Sequence, residues 1–173
     1  MNNCGLSYIW ETQNFINNGW LCNSVKQILT DQFNQTWISC VQNSPKGLNY
    51  RIFKEKLEFE DYLKVLDQKH AIDLCRFRTT NHNLPIESGR WRNIDRNDRK
   101  CNLCNSNEIG DEFHYLFVCS AFREDRQLFL KTYFRTRPNI LKMRDLMQTK
   151  NISELNKLTK FIKNIIRSLN SQG

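Results

Sequence analysis

Apolar residues recur at three- and four-residue spacings along most of the chain, and that spacing predicts helices. The first runs from about Ser24 to Val41, where Val25, Ile28, Leu29, Phe33, Trp37 and Cys40 or Val41 share one face. Ser24 with Gln27 forms a capping box at its start, and Ser44-Pro45-Lys46-Gly47 ends it. Residues 1–22 are polar with single aromatics (Tyr8, Trp10, Phe15, Trp20) and an Asn-Asn-Gly turn at 17–19. They read as a tail or docking segment. A second helix, from about Glu58 to His70, carries Tyr62, Leu63 and Leu66, and a third starting near Ala71 carries Ile72, Leu74, Cys75 and Phe77.

The second half continues the pattern. A helix from about Ser120 to Phe134 buries Phe122, Leu128, Leu130 or Phe129, and Tyr133, with Arg123, Arg126, Lys131 and Arg135 outside. Arg137-Pro138 breaks it, and Pro138 suits the first turn of the next helix, which carries Ile140, Leu141, Met143, Leu146 and Met147. The last helix, from about Ser153 to Leu169, has a stripe of Leu155, Leu158, Ile162, Ile165, Ile166 and Leu169. The prediction is a mainly α fold, a helical domain over residues 23–170.

The helical period fails in two places. Over residues 76–100, Pro85, Gly89 and the Asn/Asp content predict a loop. It is rich in arginine, with Arg76, Arg78, Arg90, Arg92, Arg96, Arg99 and Lys100 interleaved with Phe77 and Trp91. Such a mixture can grip phosphates and stack on bases. Equally, Trp91 can fill the core and Glu87 can pair an arginine internally. His82 reads as a hydrogen-bonding loop residue.

The second interruption is Cys101-x2-Cys104, then His114-x4-Cys119. Two cysteines two residues apart make half of a tetrahedral site, and a His and a Cys shortly afterwards complete a Cys₃His set suited to Zn²⁺. Asn105 is placed to take the left-handed turn after Cys104. Five residues on an ideal helix turn about 500°, so His114 and Cys119 would diverge. The segment from Asp111 is therefore expected to open before Cys119. The alternatives are a chance cluster or a Cys101–Cys104 disulfide, although no βαβ pattern surrounds the pair. Four protein ligands leave no open position for catalysis, so Glu112 beside His114 reads as ordinary complementation of a helix start.

Composition sharpens the partner question. Residues 71–100 carry seven Lys/Arg against four Asp/Glu, and residues 121–173 carry twelve against four, whereas residues 1–70 balance. The positive field flanks the Cys/His stretch and favours a polyanion such as RNA or DNA. Hydrophobic content is 39%, lower than in a typical enzyme domain. No run approaches the roughly 18 apolar residues of a membrane span, and residues 1–6 lack a secretory signal. Scattered Cys4, Cys22, Cys40 and Cys75 then read as reduced thiols, and the setting as intracellular, nuclear or cytoplasmic.

Leu74-Cys75-Arg76-Phe77-Arg78, Asn81 to Glu87, Gly89-Arg90-Trp91, Arg99, the Cys-x2-Cys and His-x4-Cys pairs, and Phe122 to Arg126 together resemble a known family region. It is the zinc-binding region C-terminal to the reverse transcriptases of non-LTR, jockey-like retrotransposons. The resemblance spans roughly residues 25–165 and is sharpest over 74–126. It implies Zn²⁺ at Cys101, Cys104, His114 and Cys119, and engagement of template RNA or target DNA near the polymerase part of a parent element. No Asp-Asp pair occurs in the chain, so polymerase activity is not carried over and no enzyme is expected. The competing expectation is a zinc-stapled structural domain whose first and last helices dock on a polymerase.

Overall fold

The computed structural model describes residues 7–12, 17–46 and 48–171, without the side chains of Tyr8 and Trp10. Cys4, Phe15 and Gly47 lie outside the described residues. The chain forms two compact units that divide between Asn43 and Ser44. The division expected near residue 22 falls instead inside a helix.

In the first unit, α1 (Ser7–Thr12) precedes α2 (Asn18–Asn43). Helix α2 begins well before Ser24, because the Asn17 side-chain oxygen accepts from the backbone N–H of Gly19 at 2.8 Å and of Trp20 at 3.2 Å. Asn17 thus supplies the cap assigned to Ser24 by the sequence pattern. No residue of α2 is buried.

The second unit is built on α10 (Ile152–Asn170), capped by Asn151, whose Oδ1 accepts from the Glu154 N–H at 3.1 Å. Its predicted stripe is buried, joined by Phe161 and Thr159, with Ile166 packed at the edge. Helices α5 (Gln68–Arg78) and α7 (Arg123–Phe129) pack on α10. The single helix expected over 58–70 is broken into α4 (Tyr62–Val65) and the start of α5, preceded by the turn α3 (Tyr50–Phe53). The cause is Asp67, which is extended and accepts from the His70 N–H at 3.0 Å, starting a new helix. This leaves Leu63 and Ile72 exposed, against the expected register.

The expected loop over 76–100 contains a helix. Pro85–Trp91 forms α6, with the proline in its first turn, where a missing N–H costs nothing. A short 3₁₀ turn, Arg96–Asp98, follows. The helix expected over 120–134 is divided into a 3₁₀ turn (Ser120–Phe122), α7 and α8 (Thr132–Arg135). Extended backbone at Leu130 sends Leu130 and Phe134 into the core and leaves Leu128 and Tyr133 outside. Helix α9 (Ile140–Met147) is capped by Asn139, one residue after Pro138, buries Met143, Leu146 and Met147, and packs on α3.

Among the described residues there is no strand, only an isolated antiparallel bridge between Lys100 and Ile109. No helix among them is long and apolar enough to cross a membrane.

Candidate metal centre

The Cys/His stretch is a knuckle followed by a widened helical turn. Cys101 N–H donates to the Glu108 carbonyl at 2.9 Å, and Gly110 N–H to the Arg99 carbonyl at 2.9 Å. These bonds close a turn over residues 101–109 and bring Cys101 and Cys104 to its end. The left-handed residue in that turn is Asn107 (φ 56°), not Asn105. Leu103 N–H points at Cys101 Sγ, 3.4 Å away, as a thiolate requires.

His114 and Cys119 converge because the segment between them is a π-helix, His114–Val118. Cys119 N–H donates to the His114 carbonyl at 2.8 Å, an i→i+5 bond. Widening the turn brings residues five apart onto one side. The divergence predicted for an α-helix is thus removed by re-winding the whole segment, started by Asp111, whose Oδ1 accepts from the His114 N–H at 2.9 Å.

One ligand atom from each of Cys101, Cys104, His114 and Cys119 lies within 4.8 Å of the others, and together they can hold a metal ion. Cys101 Sγ is 3.8 Å from Cys119 Sγ, and Cys104 Sγ is 3.3 Å from His114 Nε2. Cys101, His114 and Cys119 are buried and Cys104 is half-buried. All three cysteines are free thiols, so no disulfide competes. A hydrogen bond from Cys119, aided by His114 and working against burial, holds the Cys101 thiol well below its ordinary value. That same bond, with burial, pushes Cys119 up. Burial pulls His114 down, but the hydrogen bonds to Cys101 and Cys104 outweigh it and raise it to about 9.

No known protein family, curated protein or solved structure matches this chain.

Two residues beside the cluster were not read as its partners from the sequence. Glu108 Oε2 sits 2.9 Å from His114 Nδ1, orienting the ring so that Nε2 faces the thiols. Its signal was only a carboxylate inside the Cys-to-His interval. Arg126, predicted on an outer basic face, is buried and donates through Nη2 to the Cys119 carbonyl at 2.6 Å. It closes the exposed end of the π turn and sets a cation beside the thiols. Edge-on ring contacts then run from Tyr115 to Phe122 and from Phe122 to Phe161, each with centroids 6.1 Å apart, tying the knuckle to α10.

The arginine-rich segment is largely committed to the fold. Arg78 is buried, ion-paired to Glu60 at 2.9 Å. Arg90 pairs with Glu87 at 3.0 Å. Arg99 donates to the Ile94 and Ile86 carbonyls at 2.9 and 3.0 Å. Phe77 is buried and can stack on no base, whereas Trp91 is 58% exposed and fills no core. His82 is buried and hydrogen-bonded to Glu112 at 2.9 Å, away from the ligand set. Arg76, Arg92 and Arg123 are exposed, and Arg96 and Lys100 half-buried.

Gly110 joins the arginine segment to the knuckle. Ile86 N–H donates to its carbonyl at 3.2 Å. A Cβ there would lie 2.9 Å from Pro85 Cγ and 3.2 Å from the Cys101 Cα. Gly110→Ala is expected to cost roughly 1–3 kcal/mol by overpacking. It should appear as a lower melting temperature together with faster metal loss to a chelator; an unchanged melting curve would show that the contact relaxes freely.

Proposed function

We propose that this chain is a structural zinc module that binds nucleic acid through a surface beside the metal. The observation that carries the metal is the 3.8 Å separation of Cys101 and Cys119 sulfurs. Zn–S bonds of 2.3 Å in a tetrahedron give an S···S edge of about 3.8 Å. Three thiolates, one imidazole and Zn²⁺ carry a net charge of −1, which Arg126 offsets. Zinc in this closed site holds the knuckle and takes no part in a reaction. Thiolate ligands and free cysteines fit a reducing, intracellular setting.

What supports nucleic acid is Trp91. It ends α6, a short helix bonded to the knuckle through Gly110, and presents 58% of its surface next to exposed Arg92. Arg96 and Lys100 follow on the same segment, and Arg76 and Arg123 add exposed charge elsewhere. An aromatic face held rigidly among cations suits an unpaired base and its phosphates. This reading agrees with the resemblance to the zinc region of non-LTR retrotransposon polymerases, where such a module would hold RNA or DNA near the polymerase part.

Titration of single-stranded RNA and DNA oligonucleotides at several salt concentrations tests it. Three or four phosphate contacts give a slope of log affinity on log salt near −2 to −3, roughly 0.7 per contact. Trp91→Ala should weaken binding by about 1–3 kcal/mol with unchanged helicity. Affinity flat in salt, or indifferent to Trp91→Ala, removes the nucleic-acid part and leaves a protein-docking domain. In that case docking through α10 is excluded, because its apolar stripe is already buried in the unit's own core.

A further inference from the structure

Helix α2 carries an apolar stripe with no fully buried residue: Leu29 is 52% and Phe33 62% exposed, Cys22 and Cys40 are exposed as well, and Val25 and Trp37 are half-buried. The stripe is a palindrome. Positions equidistant from Asp31 match in kind: Leu29 with Phe33, Val25 with Trp37, and Cys22 with Cys40. At about 100° per residue all six fall within an arc of about 120° centred on Cys22. Such a face is complementary to itself when the direction of the helix is reversed. That is the requirement for an isologous, two-fold interface, in which residue i meets j and j meets i.

We propose that α2 pairs antiparallel with α2 of a second copy of this chain, about a two-fold axis at the level of Asp31. Leu29 then meets Phe33 of the second copy, and Cys22 lies opposite its Cys40. Charge does not oppose the arrangement. Lys26 and Asp31 are the only charged residues of the helix. Asp31 lies on the side facing away from the stripe, and Lys26 falls opposite Thr36 of the second copy, so no like charges meet. Antiparallel packing also sets the helix dipoles head to tail. The helix is about 39 Å long and lays about ten residues on its partner, fewer than the 20–30 a side of a standard interface. The dimer is therefore an exchanging one, with a dissociation constant on the order of micromolar, and not an obligate assembly.

The test uses the full, metal-loaded chain in analytical ultracentrifugation and, in parallel, a short bismaleimide cross-linker followed by peptide mapping. The expected results are a concentration-dependent monomer–dimer equilibrium and a Cys22–Cys40 link. Along one helix these cysteines are separated by about 27 Å, beyond the reach of the linker, so such a link arises only between copies. Phe33→Asp should weaken association by tenfold or more while helicity and metal content persist, and Asp31→Lys, on the far side, should leave it unchanged. If Phe33→Asp lowers helicity, Leu29→Gln serves in its place. A monomer up to about 100 μM, Cys22–Cys22 and Cys40–Cys40 links in place of Cys22–Cys40, or a dimer indifferent to both stripe substitutions would overturn the proposal. None of these outcomes depends on zinc or on nucleic acid.

Discussion

Stripping the metal, or replacing Cys119 by serine, is expected to unfold the knuckle and loosen the second unit as a whole. The cluster sits where the chain has few other reasons to be ordered. Between Arg99 and Gly110 the backbone closes on itself through two cross-turn hydrogen bonds, which form its one isolated bridge. The π turn that follows is an unfavourable winding unless something uses it. Structural zinc contributes roughly 10–16 kcal/mol of binding free energy, most of which is folding free energy, and that is as large as the total stability of an ordinary domain, about 5–15 kcal/mol. Cys119 is wholly buried and its carbonyl is bonded to Arg126, so a serine there leaves a buried hydroxyl in place of a thiolate. Native mass spectrometry should find one zinc per wild-type chain and none in Cys119→Ser, with a fall in helical circular dichroism. Cys22→Ser, at an exposed thiol, should change neither. Acidification should release the ion, because protons compete with the metal for the thiolates and the imidazole; retention that rises as the pH falls would contradict thiolate ligation. A metal-free chain with undiminished helicity would sink the zinc reading.

The ligand set was legible because its chemistry is written in residue type and spacing alone. The mainly helical fold was legible for a similar reason: the stripe of α10 is continuous over the whole element, so every residue in it votes for the same face. What failed were boundaries and registers. Asp67 and Leu130 divide two predicted helices, and neither is a helix breaker by type. Asp67 acts through a cap bond to His70, and Leu130 through the demand that it and Phe134 reach the same core. Proline misled in the opposite direction, since Pro85 reads as a break but opens α6. The π turn was foreseen only as a loss of helix, because nothing in the local sequence distinguishes widening from unwinding. The basic residues were the least legible. Charge counting treats all arginines alike, yet whether an arginine faces solvent depends on what the rest of the chain leaves unpaired, and Glu60, Glu87 and the Cys119 carbonyl claim three of them.

Arg78→Ala is accordingly expected to act on stability and not on binding. Its side chain is buried, with an exposure of 3%. One nitrogen pairs with Glu60 Oε2 at 2.9 Å and another donates to the Met147 carbonyl. The group also lies 4.6 Å from the ring centre of Phe53 and 5.0 Å from that of Tyr62. It therefore joins α5 to the α3–α4 segment and to the end of α9. Removing one partner of a buried pair costs about 3–5 kcal/mol, because the other is left uncompensated. Here Glu60 keeps Lys54 at 2.7 Å and some contact with water, which places the expectation near the lower figure, about 3 kcal/mol. For a unit of this size that is a fall in melting temperature of roughly 10 °C. Lysine should not rescue it, since a point charge cannot serve the carboxylate and the carbonyl together. Arg76, two residues earlier on α5 and exposed, provides the contrast. Arg76→Ala should stay within about 0.5 kcal/mol of wild type; if Arg76 takes a phosphate, it should also reduce the salt slope of oligonucleotide binding by about 1. Thermal denaturation and salt-dependent titration of the two variants separate the roles. An Arg78→Ala protein with an unchanged melting temperature but lost oligonucleotide binding would return Arg78 to the interface and show that Glu60 holds the unit without it.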